Sequence, residues 1–131
     1  MRLLLDTHIW IWAVVEPARL SRRVTRALQE NENELWLSPI STWELALLVE
    51  RGRIRLDSDI DPWLADASDC CPTIEAPLTH EIALASTRVA LPHRDPADRL
   101  LAATALILDL ALVTADEQLI GCKGVRVLAN K

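Results

Sequence analysis

What restricts this chain most is the spacing of its apolar runs. Short ones, at residues 3–5, 35–37, 73–74, 111–113 and 125–128, are separated by much longer stretches with helical signals. Runs this short read as buried strands. Ser21 opens an amphipathic stretch to Glu30, with Val24, Ala27 and Leu28 on one face, and Ser38-Pro39 opens a second that closes at Gly52. Serine ahead of proline starts a helix and glycine ends one. Further helices are predicted at residues 60–67, at 78–89, and from Asp95-Pro96 to about residue 108. Strands alternating with helices imply a mostly parallel sheet of four to five strands covered on both faces, a three-layer α/β/α sandwich. No repeat, low-complexity tract or linker divides the chain, so residues 1–131 are expected to form a single domain.

Composition narrows the function classes. Half of the residues are hydrophobic and a quarter charged, which is a globular balance. Five tryptophans are the only aromatics, leaving little material for a sheet-face platform that stacks bases. Fourteen Lys and Arg against nineteen Asp and Glu give a net charge of −5, so nucleic acid is not held by bulk electrostatics. If the chain acts on RNA, something must invert the sign locally. Cys70, Cys71 and Cys122 make an odd count with no C-x-x-C pair, which favours a reducing compartment and no zinc site. The three apolar residues before Asp6 fall short of the roughly 7–15 of a signal peptide, so a cytoplasmic location is expected. Residues 100–113, broken by Asp109, fall short of the roughly 20 that span a bilayer, so no membrane partner is expected.

In parallel sheets ligands bind beyond the carboxyl ends of the strands, which directs attention to acids that follow strands. Asp6 follows Leu3-Leu4-Leu5, and Asp116 follows Leu112-Val113-Thr114-Ala115. Glu44 lies about two turns into the helix after the second strand, and Asp98 lies in the first turn of the helix begun by Asp95-Pro96. Each has an ordinary structural reading. Asp6 can cap a helix starting at Thr7, and Ser41-Thr42-Trp43-Glu44 fits a capping box although Ser38-Pro39 is the better helix start. Asp98 and Asp116 suit the positive end of a helix dipole. The joint reading differs, because four acids from four segments fall on one rim. Two carboxylates about 4 Å apart repel by about 4 kcal/mol at an effective dielectric of about 20, so such a cluster calls for a cation. Oxygen donors without Cys or His suit Mg²⁺ or Mn²⁺. Such ions bind a phosphodiester and lower the pKa of a bound water.

These segments resemble the PIN-domain nucleases and, within them, the toxin ribonucleases of VapBC-type toxin–antitoxin pairs. Leu3-Leu4-Leu5-Asp6-Thr7-His8 is similar to the family's opening strand and first acid, and Ser38-Pro39-Ile40-Ser41-Thr42-Trp43-Glu44-Leu45-Ala46 to its second motif. Residues 93–105, from His93-Arg94-Asp95-Pro96-Ala97-Asp98 onward, resemble the third, and Leu112-Val113-Thr114-Ala115-Asp116 the fourth. The resemblance implies an α/β/α sandwich and Mg²⁺- or Mn²⁺-dependent cleavage of RNA by metal-activated water. Asp6, Glu44, Asp98 and Asp116 would be the acidic, metal-holding constellation, with Thr114 orienting a ligand or water. Asp95 is the neighbour in question, and its place before Pro96 favours its use as an N-cap. A VapB-like antitoxin and a homodimer are the partners so implied.

Arg51, Arg53 and Arg55 around Gly52 form a small basic cluster and are the candidate contacts to an RNA backbone, with His93 and Arg94 as further candidates. His8, His80 and His93 lack the i, i+4 spacing of a helical metal pair and read as solvated or packing residues. The stretch 9–15, from Ile9-Trp10-Ile11-Trp12 to Val15, is apolar on too many sides for the surface helix of a monomer, so a second chain or an antitoxin peptide is expected over part of it. Two rivals stand beside the nuclease. One is a phosphatase forming an aspartyl-phosphate on Asp6, although such enzymes carry D-x-D where this chain has Asp6-Thr7-His8. The other is a non-catalytic PIN-like module that binds RNA or protein.

Overall fold

A computed structural model describes residues 1–92 and 94–131. Its strands are β1 (Arg2–Leu5), β2 (Glu34–Leu37), β3 (Ile74–Glu75), β4 (Ala111–Thr114) and β5 (Val127–Ala129). The helices are α1 (Thr7–Val15), α2 (Arg22–Gln29), α3 (Pro39–Glu50), α4 (Ile60–Cys70), α5 (His80–Ser86), α6 (Pro96–Ile107) and α7 (Glu117–Ile120), with a 3-10 turn at Pro17–Arg19. All five strands pair in parallel in the order β3-β2-β1-β4-β5. The chain moves outward in one direction from β1 through β2 to β3, then returns to place β4 on the other side of β1. The reversal between β1 and β4 opens a crevice at their carboxyl ends.

Alternation along the strands divides the core in two. Leu3, Leu5 and Val113 face Ile9, Trp10, Val24, Leu45 and Trp63 from α1 to α4. Leu4 and Leu112 face Ile82, Leu101, Ala102, Ala105 and Leu119 from α5 to α7. The expected three layers are therefore present, and the sheet is wholly parallel.

Helix starts follow the polar residues that precede them. Ser21 Oγ accepts the Val24 N–H at 3.2 Å, and Ser38 Oγ accepts the Ile40 N–H at 3.1 Å with Pro39 next. Ser38 and not Ser41 therefore starts α3, and that helix closes at Gly52, whose φ of +69° suits a residue without Cβ.

Element ends differ from expectation at α4, which runs on to Cys70, at β3, which lies one residue later, and at α5 and β5. Helix α5 is shorter than 78–89: Thr79 caps it, and at its far end the Ser86 and Thr87 hydroxyls donate to the Ala83 and Leu84 carbonyls, which weakens helix propagation. Strand β5 begins two residues late, because Gly124 has a φ of +88° and the Val125 N–H turns back to the Cys122 carbonyl.

Helix α1 covers itself better than its sequence suggests. Ile9, Trp10 and Ile11 are buried, and Trp10 meets Trp63 edge-on at 5.6 Å. Trp12 lies beneath the Arg19 guanidinium at 4.3 Å, so the 3-10 turn covers part of the surface over which a second chain or an antitoxin peptide was expected. Among its apolar residues only Val15 is exposed, at 52%. Among the described residues no helix is long and apolar enough to cross a membrane.

Candidate active site

Asp6 leaves β1 at the crevice and is only 8% exposed. Its backbone N–H continues the pairing with β4, reaching the Val113 carbonyl at 2.9 Å. Both carboxylate oxygens are held: Oδ1 accepts the Thr7 N–H at 2.8 Å, capping α1, and Oδ2 accepts the Thr114 hydroxyl at 2.6 Å. Thr114 Oγ1 in turn accepts the Asp116 N–H at 3.0 Å. One buried hydroxyl thus ties the first acid to the fourth, while Asp116 Oδ1 caps α7 through the Gln118 N–H at 2.8 Å.

Glu44 reaches the same crevice from α3. Its Oε1 accepts the hydroxyl of Thr7, whose oxygen lies 2.9 Å from that of Ser41. Thr7 has a single hydroxyl proton, so Ser41 must donate to Thr7 for both contacts to hold. Asp95 caps α6, accepting the Ala97 N–H at 3.0 Å, and Asp98 stands in the first turn of that helix.

Asp6, Glu44, Asp95, Asp98 and Asp116 line one cleft of about 360 Å³, with His8, Trp12 and Ala115 as the other walls. The carboxylates act on one another. Burial pushes the Asp98 carboxyl up to about 7, and the charges of Asp95, Asp6, Asp116 and Glu44 add to the rise. Asp6 is raised by burial and restrained by the Thr114 hydroxyl. Glu44 is raised by burial, restrained by Thr7, and raised again by Asp6 and Asp95. The site therefore disfavours its own ionised form, a property that marks functional clusters.

The donor set fits a hard divalent cation. It consists of carboxylate oxygens, two of them oriented by threonine hydroxyls, and the burial and mutual repulsion that raise these pKa values would be opposed by positive charge. Among the described residues no three His, Cys, Asp or Glu side chains stand close enough to form a finished ligand set, so the acids share a cleft rather than a point.

The four acids and Asp95 are thus brought together, and Thr114 lies beneath them. The basic candidates are not. Arg51 follows Glu44 by seven residues at the far end of α3, roughly 10 Å along the axis. Arg55 lines a separate groove with Ser58, Asp59 and Asp61, and Arg94 faces another groove with Arg99 and Thr87. Arg53 lies in the same loop as Arg55. His93 lies outside the described residues. Sequence reasoning missed Thr7, which orients Glu44, and read His8 as a solvated or packing residue, where the structure has it exposed at the wall of the cleft. A hydroxyl beside a strand-end acid was the only local signal for Thr7.

The PIN domain profile matches residues 3–122. Ribonuclease VapC22 of Mycobacterium tuberculosis is 40% identical over 119 residues, covering 88% of each chain. Among solved structures, VapBC2 from Rickettsia felis bound to a promoter DNA fragment superposes with a TM-score of 0.71 at 16% identity, over the full length of both chains. FitAcB from Neisseria gonorrhoeae gives 0.68 at 24% identity over 98% of this chain and 97% of that one. The VapBC-5 toxin–antitoxin structure from Mycobacterium tuberculosis gives 0.63 at 16% identity over 98% of each. At these identities the structural likenesses establish the fold.

Proposed function

The chain belongs to the PIN-domain family, and from that premise we propose that it is the ribonuclease toxin of a type II toxin–antitoxin pair, cutting RNA phosphodiesters with Mg²⁺ or Mn²⁺ in its acidic cleft. The observation that carries the reading is the convergence of Asp6, Glu44, Asp98 and Asp116 on one cleft at the point where the strand order reverses. The relative named as a ribonuclease supports the reaction class.

In this reading Asp6, Glu44, Asp98 and Asp116 hold the cation. When bound, it supplies a lowered pKa for the attacking water and positive charge beside the scissile phosphate. The remaining work belongs to the chain. Thr114 and Thr7 keep the Asp6 and Glu44 carboxylates oriented, so little reorganisation is needed when substrate arrives. Burial and the neighbouring carboxylates push the Asp98 carboxyl up to about 7, and positive charge in the cleft would favour its ionised form. Asp95 is engaged as the α6 cap and adds negative charge to the cleft.

A VapB-like antitoxin and a second copy of the chain are the partners we propose, and the cytoplasm the place of action. Trp43 on α3 and Leu84 on α5, each more than half exposed, are apolar surface for such contacts. Co-purification with the antitoxin and the mass of the isolated chain in solution test these partners.

The deciding experiment incubates purified protein with mixed RNA, with Mg²⁺ or Mn²⁺ and with chelator, beside Asp6→Asn. Cleavage that needs the metal and disappears in Asp6→Asn is expected. Cleavage that ignores chelator or survives the substitution would overturn the mechanism, and RNA binding without turnover under any metal would favour a non-catalytic module.

A further inference from the structure

Beside β5, the edge strand of the sheet, α2 borders a groove of about 490 Å³ lined by Arg22, Arg23 and Arg26 together with Met1, Asn33 and Leu128. Glu30 also lines it. The three arginines are exposed, and among the described residues none lies within ion-pair distance of an acid. With Arg19, they put four arginines and no acid into residues 19–26 of a chain whose net charge is −5.

The fold itself gains little from Arg22 and Arg23. Arg22 and Arg23 occupy the first turn of α2, the end where a helix dipole repels cations. Arg22 and Arg26 form a like-charged i, i+4 pair, which also weakens a helix. The arrangement makes sense if the three guanidiniums of α2 await an anion, beside an Arg19 that already meets Glu16 at 3.9 Å.

Their position relative to the cleft is fixed by hydrogen bonds. The Thr114 carbonyl accepts the Asn130 N–H at 2.8 Å. The Asn130 side chain accepts the Ser21 N–H at 2.7 Å and donates to the Arg19 carbonyl at 3.1 Å. The start of α2 is therefore pinned to the strand end that also holds Asp6. From there the Arg19 guanidinium covers Trp12, whose ring is a wall of the acidic cleft. Positive charge thus runs from the cleft wall along α2.

We infer that Arg19, Arg22, Arg23 and Arg26 form a track for the sugar-phosphate backbone of an RNA strand whose scissile bond lies in the acidic cleft. Guanidinium forks match phosphate oxygens, and backbone contacts position a strand without reading its sequence. The track supplies the local reversal of charge that an acidic chain needs to hold a polyanion. An acidic protein segment would also suit arginines, but continuity with the cleft wall favours the substrate. The inference rests on the ribonuclease reading.

The test is binding of a mixed-sequence single-stranded RNA oligonucleotide in chelator, so that nothing is cut, across a salt titration. The triple variant Arg22→Gln, Arg23→Gln, Arg26→Gln should bind at least about tenfold more weakly at low salt. Its log K against log salt slope should be shallower by about 2, since each lost single-strand phosphate contact removes about 0.7. Circular dichroism verifies its fold. An unchanged slope, or a larger loss in the Arg51→Gln, Arg53→Gln, Arg55→Gln variant, overturns the track. Tighter binding of polyglutamate than of RNA at matched charge also overturns it, assigning the groove to an acidic protein segment. If the wild type cuts RNA but the α2 variant binds unchanged, only the track falls. If the wild type neither binds nor cuts RNA, the ribonuclease reading falls with it.

Discussion

The Thr114 hydroxyl donates a hydrogen bond to Asp6 Oδ2 at 2.6 Å, joining the ends of two neighbouring parallel strands through a pair of buried side chains. Replacing it with the near-isosteric valine removes the donor and leaves a buried carboxylate oxygen without its partner. Thr114→Val should destabilise the protein by about 1–3 kcal/mol in urea unfolding at pH 8. It should also lower metal-dependent RNA cleavage by about 10- to 100-fold, the usual effect of losing a group that orients a ligand. Unchanged activity would remove Thr114 from the site.

Asp98→Asn should move stability and activity in opposite directions. Burial and the charges of four neighbours disfavour its carboxylate, so neutralising it should raise the Tm of the metal-free protein at pH 8. Cleavage should fall by at least about 100-fold, beyond the range for groups that only support a ligand. A lowered Tm together with retained activity would reverse the assignment.

The same carboxyl sets a pH dependence. Its folded pKa, about 7, lies above the ordinary value of 3.8, so between those limits the native state binds more protons than the unfolded state. Stability of the metal-free protein from this group therefore falls as pH rises from about 4 to about 7, then levels off. Asp6 and Glu44, also raised, act in the same direction. Thermal unfolding in chelator, compared between wild type and Asp98→Asn at pH 5 and pH 8, should show a smaller drop in the variant.

Metal should stabilise most where protons compete least. A cation that binds only the folded state at 100 times its Kd adds about 2.7 kcal/mol. At a fixed concentration of Mn²⁺ or Mg²⁺ the rise in Tm should be larger at pH 8 than at pH 6, and it should vanish in Asp6→Asn.

Asn130 offers a test of the rim away from the acids. Asn130→Ala removes both side-chain bonds that hold the 3-10 turn and the start of α2. A loss of about 1–3 kcal/mol is expected from denaturant unfolding, two bonds at about 0.5–1.5 each. Faster amide exchange around Arg19 and Ser21 should accompany it.

Much of this was legible in the sequence for a physical reason: a three-residue apolar run such as Leu3-Leu4-Leu5 cannot bury itself except as a strand, and an acid directly after it has nowhere to sit but the rim. The acids therefore announced the cleft. The ends of α5 and β5 escaped because a hydroxyl returning to its own helix and a glycine turn leave no mark on hydrophobic periodicity. Thr7 and Asn130 escaped because their partners are distant in sequence: Thr7 meets Glu44 across 37 positions, and Asn130 meets Ser21 across 109. The basic surface was sought around Gly52, where Arg51, Arg53 and Arg55 alternate, although residues 22–26 hold as many arginines. Arginines spaced along α2 gain their meaning only from the neighbour that pins the helix.

Asp6 and the threonine that holds it are 108 positions apart. During synthesis the first acid leaves the ribosome early, but β4 begins only at Ala111, so a nascent chain lacks the strand that completes the crevice until most of it has been made. Asp98 and Asp116 also arrive late. A fragment that ends before β4 lacks Thr114 and Asp116, and on the nuclease reading it is expected to cut no RNA.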